Sequence, residues 1–95
     1  MRLAARVDEN HAAIVAAIRK CGMTVQSLAA LGKGCPDILV GESGRNWLFE
    51  IKNDKKCKSE KALTKDEERF HEKWKGQVAV VETVFDILMI IGKDR

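Results

Sequence analysis

The stretch GCPDILVGESGRNWLFEIK, residues 34–52, decides the fold. Two runs of strand-forming residues, ILV and WLFEIK, flank the turn sequence GESGRN. A two-residue turn at Ser43-Gly44 pairs Glu42 with Arg45, Val40 with Trp47 and Asp37 with Glu50. A six-residue loop, Gly41 to Asn46, keeps the same register. Opposite side chains of an antiparallel pair stand ~5 Å apart, and like charges placed there repel. Leu48, Glu50 and Lys52 share one face of the second strand. Trp47, Phe49 and Ile51 take the other, which is apolar and suits packing against a helix.

Two facing carboxylates are at ease with a cation between them. Oxygen ligands that leave room for water and phosphate suit Mg²⁺ or Mn²⁺. Lys52 would sit beside such an ion, where it stabilises phosphate charge or orients water. The plain alternative is that Asp37 ends a loop after Pro36 and Glu50 is a solvated strand residue.

Working outward, Ile14, Val15, Ile18 and Cys21 recur at helical spacing, predicting a helix from about Asp8 to Cys21 with Gly22 ending it. MTVQSLAAL begins as a strand and loosens. GKGCPD is a glycine-punctuated loop. NDKKCKSEKAL is a lysine-dense loop. Thr64 and Glu67 form a capping box for a helix over Lys65–Lys75 that Gly76 ends. QVAVVET reads as a strand buried on both faces, and VFDILMII as a helix with Gly92 as its C-cap. The order α-β-β-β-α-β-α is that of an α/β domain with a central mixed sheet flanked by helices.

The 95 residues amount to one domain, 1–95, with an adequate but thin core. With 45% hydrophobic and 33% charged residues the composition excludes a disordered chain. A net charge of +3 permits nucleic acid as a partner without demanding it. Cys21, Cys35 and Cys57 are odd in number and lack CxxC spacing, so reduced thiols are expected. Cys35 reads as a small buried residue. The longest apolar run, Ile87–Ile91, is too short for a bilayer. These features predict a cytoplasmic protein with no membrane association.

GCPD followed one hairpin later by FEIK resembles the PD-(D/E)XK nuclease motif. The fuller pattern, GKGCPDILVG with GRNWLFEIKND and LTKDEERFHEKWKGQVAVV, resembles the virus-type replication-repair nuclease (VRR-NUC) family over roughly residues 8–83. The resemblance implies a restriction-endonuclease-like fold and metal-dependent hydrolysis of DNA phosphodiester bonds. It implies Asp37 and Glu50 as metal ligands, the Ile51 backbone carbonyl as a third, and Lys52 as the catalytic lysine. It further implies likeness to archaeal Holliday-junction resolvases, which are homodimers acting on branched DNA. A non-catalytic DNA-binding subunit that keeps the fold is the alternative, and a small unrelated α/β binding protein a third.

Two departures stand out. The family often places an acid in the first helix. Here Asp8 and Glu9 are candidates, while the register also offers Asn10 or His11. A neutral His11 binds metal or positions water; the plainer reading is a helix-surface histidine. Glu67 stands where the family often has glutamine, and the capping box accounts for it. For DNA contact the candidates are Lys33, Arg45 and the lysines of the loop, Lys55, Lys56, Lys58 and Lys61. Phe70 and Trp74, one turn apart, read as core or subunit interface more readily than as a base-stacking platform.

Overall fold

A computed structural model describes residues 9–52 and 62–93. They form a small α/β domain. Helix α1 spans Glu9–Lys20, β1 Thr24–Ser27, β2 Ile38–Glu42, β3 Arg45–Ile51, α2 Lys65–Lys73, β4 Val78–Val81 and α3 Val84–Lys93, with a 3₁₀ turn at Ala29–Leu31. The four strands lie in chain order. The β1–β2 and β2–β3 pairs are antiparallel, and β4 joins β3 in parallel. The parallel step is made possible by the crossover that contains α2.

The hairpin is as its turn chemistry requires. Glu42 pairs with Arg45 and Val40 with Trp47. Ser43 and Gly44 both have positive φ, 52° and 79°, the condition for the tight turn that follows the natural twist of the strands. Gly22 ends α1 with φ 92°. Around it the Gly22 N–H donates to the Arg19 carbonyl at 3.0 Å and the Met23 N–H to Ile18 at 3.2 Å, the bonds of a glycine-terminated helix. At the start of α2 the Thr64 hydroxyl accepts from the Glu67 N–H at 3.2 Å, and the Glu67 carboxylate accepts from the Thr64 N–H at 2.9 Å. Helix α3 opens in a similar way, with the Asp86 carboxylate accepting from the Thr83 N–H at 3.1 Å.

One face of the sheet makes the core. Ile38, Val40, Trp47, Phe49, Ile51 and Val81 meet Ile14 and Ile18 of α1 and Ile87 and Ile91 of α3. This is the apolar face expected of Trp47, Phe49 and Ile51. The opposite face carries Leu48 and Glu50, both buried although outside that cluster.

Several expectations need correction. Strand β4 is not buried on both faces: it is an edge strand, and Val80 is 41% exposed while Val81 is buried. Its valines reflect β-propensity as much as burial. Gly92 is no C-cap, since α3 runs through it to Lys93. Cys21 lies exposed just beyond α1, and Cys35 is half-buried. Helix α2 stops at Lys73, two residues early, with Trp74 already extended. Trp74 is exposed, so it is no core residue.

Candidate functional site

Strand ends build the site. Continuing the hairpin register one step past Ile38↔Phe49 sets Asp37 opposite Glu50. Asp37 follows Pro36 at the mouth of β2, where its side chain takes the place of a backbone acceptor. Its Oδ2 accepts the Ile51 N–H at 2.7 Å. The N–H and C=O of a strand residue point to the same side, so the Ile51 carbonyl faces the Asp37 edge too. Lys52 N–H turns the other way, to the Val81 carbonyl at 2.9 Å.

Glu50 is 4% exposed. Burial, then the Asp37 and Glu67 carboxylates, push its pKa up to about 9, with Lys52 pulling against them. The Lys52 ammonium lies 3.7 Å from Glu50 Oε2 and 3.0 Å from Glu67 Oε1. Burial works to lower the Lys52 pKa, yet the Glu67 hydrogen bond and the Glu50 charge prevail and raise it, so the ammonium stays charged. Burial likewise works to raise Glu67, but the Thr64 N–H and Lys52 hold it down as a carboxylate. One oxygen, Glu67 Oε1, therefore serves both the helix cap and Lys52. The capping box expected from the sequence is thus only half of what Glu67 does. The missed signal was that a carboxylate oxygen has lone pairs for two donors.

From α1 it is Asn10 that reaches this region, its Nδ2 donating to the Lys52 carbonyl at 3.2 Å. His11 is buried rather than on the surface, and it lines a separate cavity with Val15, Arg19 and Ser27. Asp8 and the side chain of Glu9 lie outside the described residues. His71 sits one turn past Glu67. Burial holds its imidazole below the ordinary value, with Glu67 working against that and Lys52 with it. The Cys35 thiol is pushed up by burial and by Glu50 and Asp37, so it remains a thiol and no nucleophile.

Of the DNA-contact candidates, Lys33 lies on the loop that leads to Asp37 and beside α2. Arg45 is at the far tip of the hairpin, roughly 17 Å of strand away from Glu50. The structure does not bring it to the site. Lys55, Lys56, Lys58 and Lys61 lie outside the described residues.

Among the described residues no group of three or more His, Cys, Asp and Glu side chains is arranged to hold a metal ion. The donors present are two carboxylates and a strand-end carbonyl. That set fits a hard cation such as Mg²⁺, which is commonly bound through one or two carboxylates and completes its shell with water and phosphate oxygens. A second observation agrees. Glu50 Oε1, Asn10 Oδ1 and His71 Nε2 are buried without a hydrogen-bond partner among the described residues. A buried polar atom without a partner calls for an explanation, and at Glu50, next to Asp37, an ion with its hydration shell would provide one.

Among the described residues no helix is long and apolar enough to cross a membrane. Comparison of the chain with family models, with curated proteins and with solved structures returns no match. The functional reading rests on the residues and their geometry.

Proposed function

We propose that this protein is a Mg²⁺- or Mn²⁺-dependent DNA endonuclease that selects branched structures such as four-way junctions. One observation carries the reading: Asp37 and Glu50 stand together at the strand ends with an ion-paired Lys52 beside them. A structural hairpin has no use for two adjoining acids, since burying them side by side forces one to hold a proton at neutral pH, at a cost in stability. The resemblance of GCPD and FEIK to the PD-(D/E)XK motif supports the same reading, as does the mixed sheet on which they sit.

Asp37, Glu50 and the Ile51 carbonyl would hold the ion. When bound, it lowers the pKa of a water and polarises the scissile phosphate. Glu67 fixes the Lys52 ammonium beside Glu50, where it neutralises charge that builds on the phosphate. Asn10 tethers the Lys52 backbone and so holds the end of β3 to α1.

The test is a panel of labelled duplex, flap, splayed-arm and four-way-junction DNA with Mg²⁺ or Mn²⁺. Wild-type protein should cut a branched substrate, and chelation should stop it. Asp37→Ala should lose cleavage below detection and keep its fold, because what it removes from the framework is one hydrogen bond at a strand end, to the Ile51 N–H, worth about 1–3 kcal/mol. Full activity in that variant sinks the site assignment. A wild type that binds DNA and cuts none of the panel favours the non-catalytic subunit instead.

A further inference from the structure

A cavity of about 260 Å³ opens beside the site, lined by Lys33, Asp66, Arg69, Phe70, Lys73 and Trp74. That is below the ~300–1,000 Å³ of ordinary small-molecule pockets. It suits one flat group better than a whole cofactor. We propose that this cavity binds an unstacked nucleotide of a single-stranded segment, its base on Trp74 and its phosphates on Lys33, Arg69 and Lys73. This deepens the nuclease reading and rests on it for the choice of nucleic acid.

Geometry supplies the platform. Asp66, Phe70 and Trp74 lie four residues apart, and Arg69 and Lys73 stand three residues after Asp66 and Phe70, so α2 and its C-cap present all five on one face. The rings of Phe70 and Trp74 stack at 5.0 Å between centroids and 14° between planes. Trp74 is 48% exposed while Trp47 is 1% exposed. Phe70 therefore backs the indole, Gly76 abuts its pyrrole edge, and about half of the residue stays open to solvent. Base-on-aromatic stacking tolerates any sequence because every base has a π-face.

Charge selects the ligand. The one acid of the rim, Asp66, already pairs with Arg69 at 3.2 Å. Lys33 and Lys73 have no ion-pair partner among the described residues. The rim thus carries a net positive charge around an exposed aromatic face. A second copy of the chain is a poor occupant. A two-fold contact sets a patch against itself, which here would press like charges together.

The loop is shaped for this placement. Gly32, Lys33 and Gly34 all have positive φ, of 64°, 56° and 81°. Lys33 holds a conformation that ordinary residues avoid, a strain that clusters at functional sites. A Cβ on Gly34 would collide with the Asp66 carbonyl, so the loop can lie against the first turn of α2 only with glycine there. Both carriers of the cavity also serve the catalytic group. The loop runs on into Asp37, and α2 carries Glu67, which holds Lys52. A strand gripped here is delivered next to the carboxylates.

The test needs neither metal nor cleavage. Full-length protein is titrated in EDTA with oligothymidylate, with duplex of equal length and with polyglutamate, following tryptophan emission. Both tryptophans emit, but Trp47 is buried, so a ligand-dependent change in emission reports on Trp74. Oligothymidylate should quench it, and the other two should quench it weakly. By anisotropy of a labelled strand, Trp74→Ala should lose roughly 5- to 150-fold in affinity, and Trp74→Phe should recover most of it. Arg69→Gln with Lys73→Gln should flatten the slope of log K against log salt by up to ~1.4. Circular dichroism checks that each variant is folded. Absent quenching, equal quenching by duplex or polyglutamate, or unchanged affinity in Trp74→Ala each overturns the proposal. Quenching without cleavage of any substrate leaves this site standing and removes the nuclease reading; cleavage without quenching does the reverse.

Discussion

Glu50 is the residue on which the site turns, and it makes a pH-dependent prediction. Its folded pKa is raised to about 9 from an ordinary 4.5. Between those values the folded chain keeps a proton that the unfolded chain releases. Stability is therefore greatest at the acid end of that window and falls as pH rises through it. In chelator, the urea midpoint of the wild type should drop from about pH 5 to about pH 9, and Glu50→Gln should flatten the trend. A midpoint that rises over this range would show Glu50 to be ionised. Adding Mn²⁺ at the alkaline end should raise the wild-type midpoint by mass action and leave Asp37→Ala unmoved. Lys52 makes a different prediction. Its ammonium is held by Glu67 at 3.0 Å and faces Glu50 at 3.7 Å, where the proposed reaction would develop charge. Lys52→Ala should slow single-turnover cleavage by ~10²–10³-fold at near-constant DNA affinity. A loss confined to affinity makes it a phosphate contact only.

At the scale of elements, α2 is tied to β3 through Glu67. Glu67→Gln keeps an oxygen for both the Thr64 N–H and Lys52 and removes only charge. Glu67→Ala removes both bonds. The Thr64 hydroxyl still accepts the residue-67 N–H in that variant, and losing the bond to the Thr64 N–H costs about 1 kcal/mol, which lowers Tm by ~4–8 °C in a domain of this size. Glu67→Ala should show that drop together with slower cleavage, and Glu67→Gln should recover the Tm. Equal Tm values for the two variants would refute the shared role. Local chemistry explains what was legible here. Ser43-Gly44 sets the hairpin register, Thr64 with Glu67 starts α2, and Gly22 closes α1. Each of these signals acts over four residues or fewer. What escaped depended on distant neighbours. The exposure of Val80 follows from β4 lying at the sheet edge, and Gly92 stays helical although its residue type favours a stop. The Glu67–Lys52 contact spans 15 positions, and Asn10, rather than His11, meets β3 across 42. Such meetings are set by how helices dock on a sheet, which no short window of sequence encodes.

For the whole molecule, the open question is what covers α3. Its Ile87 and Ile91 are buried in the core, yet Phe85, Leu88 and Met89 are 67%, 39% and 46% exposed. They recur at three- and four-residue steps, so they form one stripe along the outer side of the helix. Scattered apolar residues are normal on a surface, whereas a contiguous stripe marks a contact. Cutting both strands of a branched DNA symmetrically also calls for two sites related by a two-fold axis, and a two-fold dimer supplies them. The stripe carries no charged side chain of its own, unlike the cationic rim around Trp74, so it can meet its own copy without repulsion. The expectation is a homodimer built on α3 against α3, with both nuclease sites left open. Light scattering across micromolar concentrations should give a mass near twice the 10.6 kDa of the chain. Phe85→Glu should return it to the monomer mass without unfolding it, since Phe85 lies outside the core. A wild-type mass of 10.6 kDa throughout excludes a pre-formed dimer. Any dimer would then have to assemble on the DNA, each copy bringing one site to its own strand.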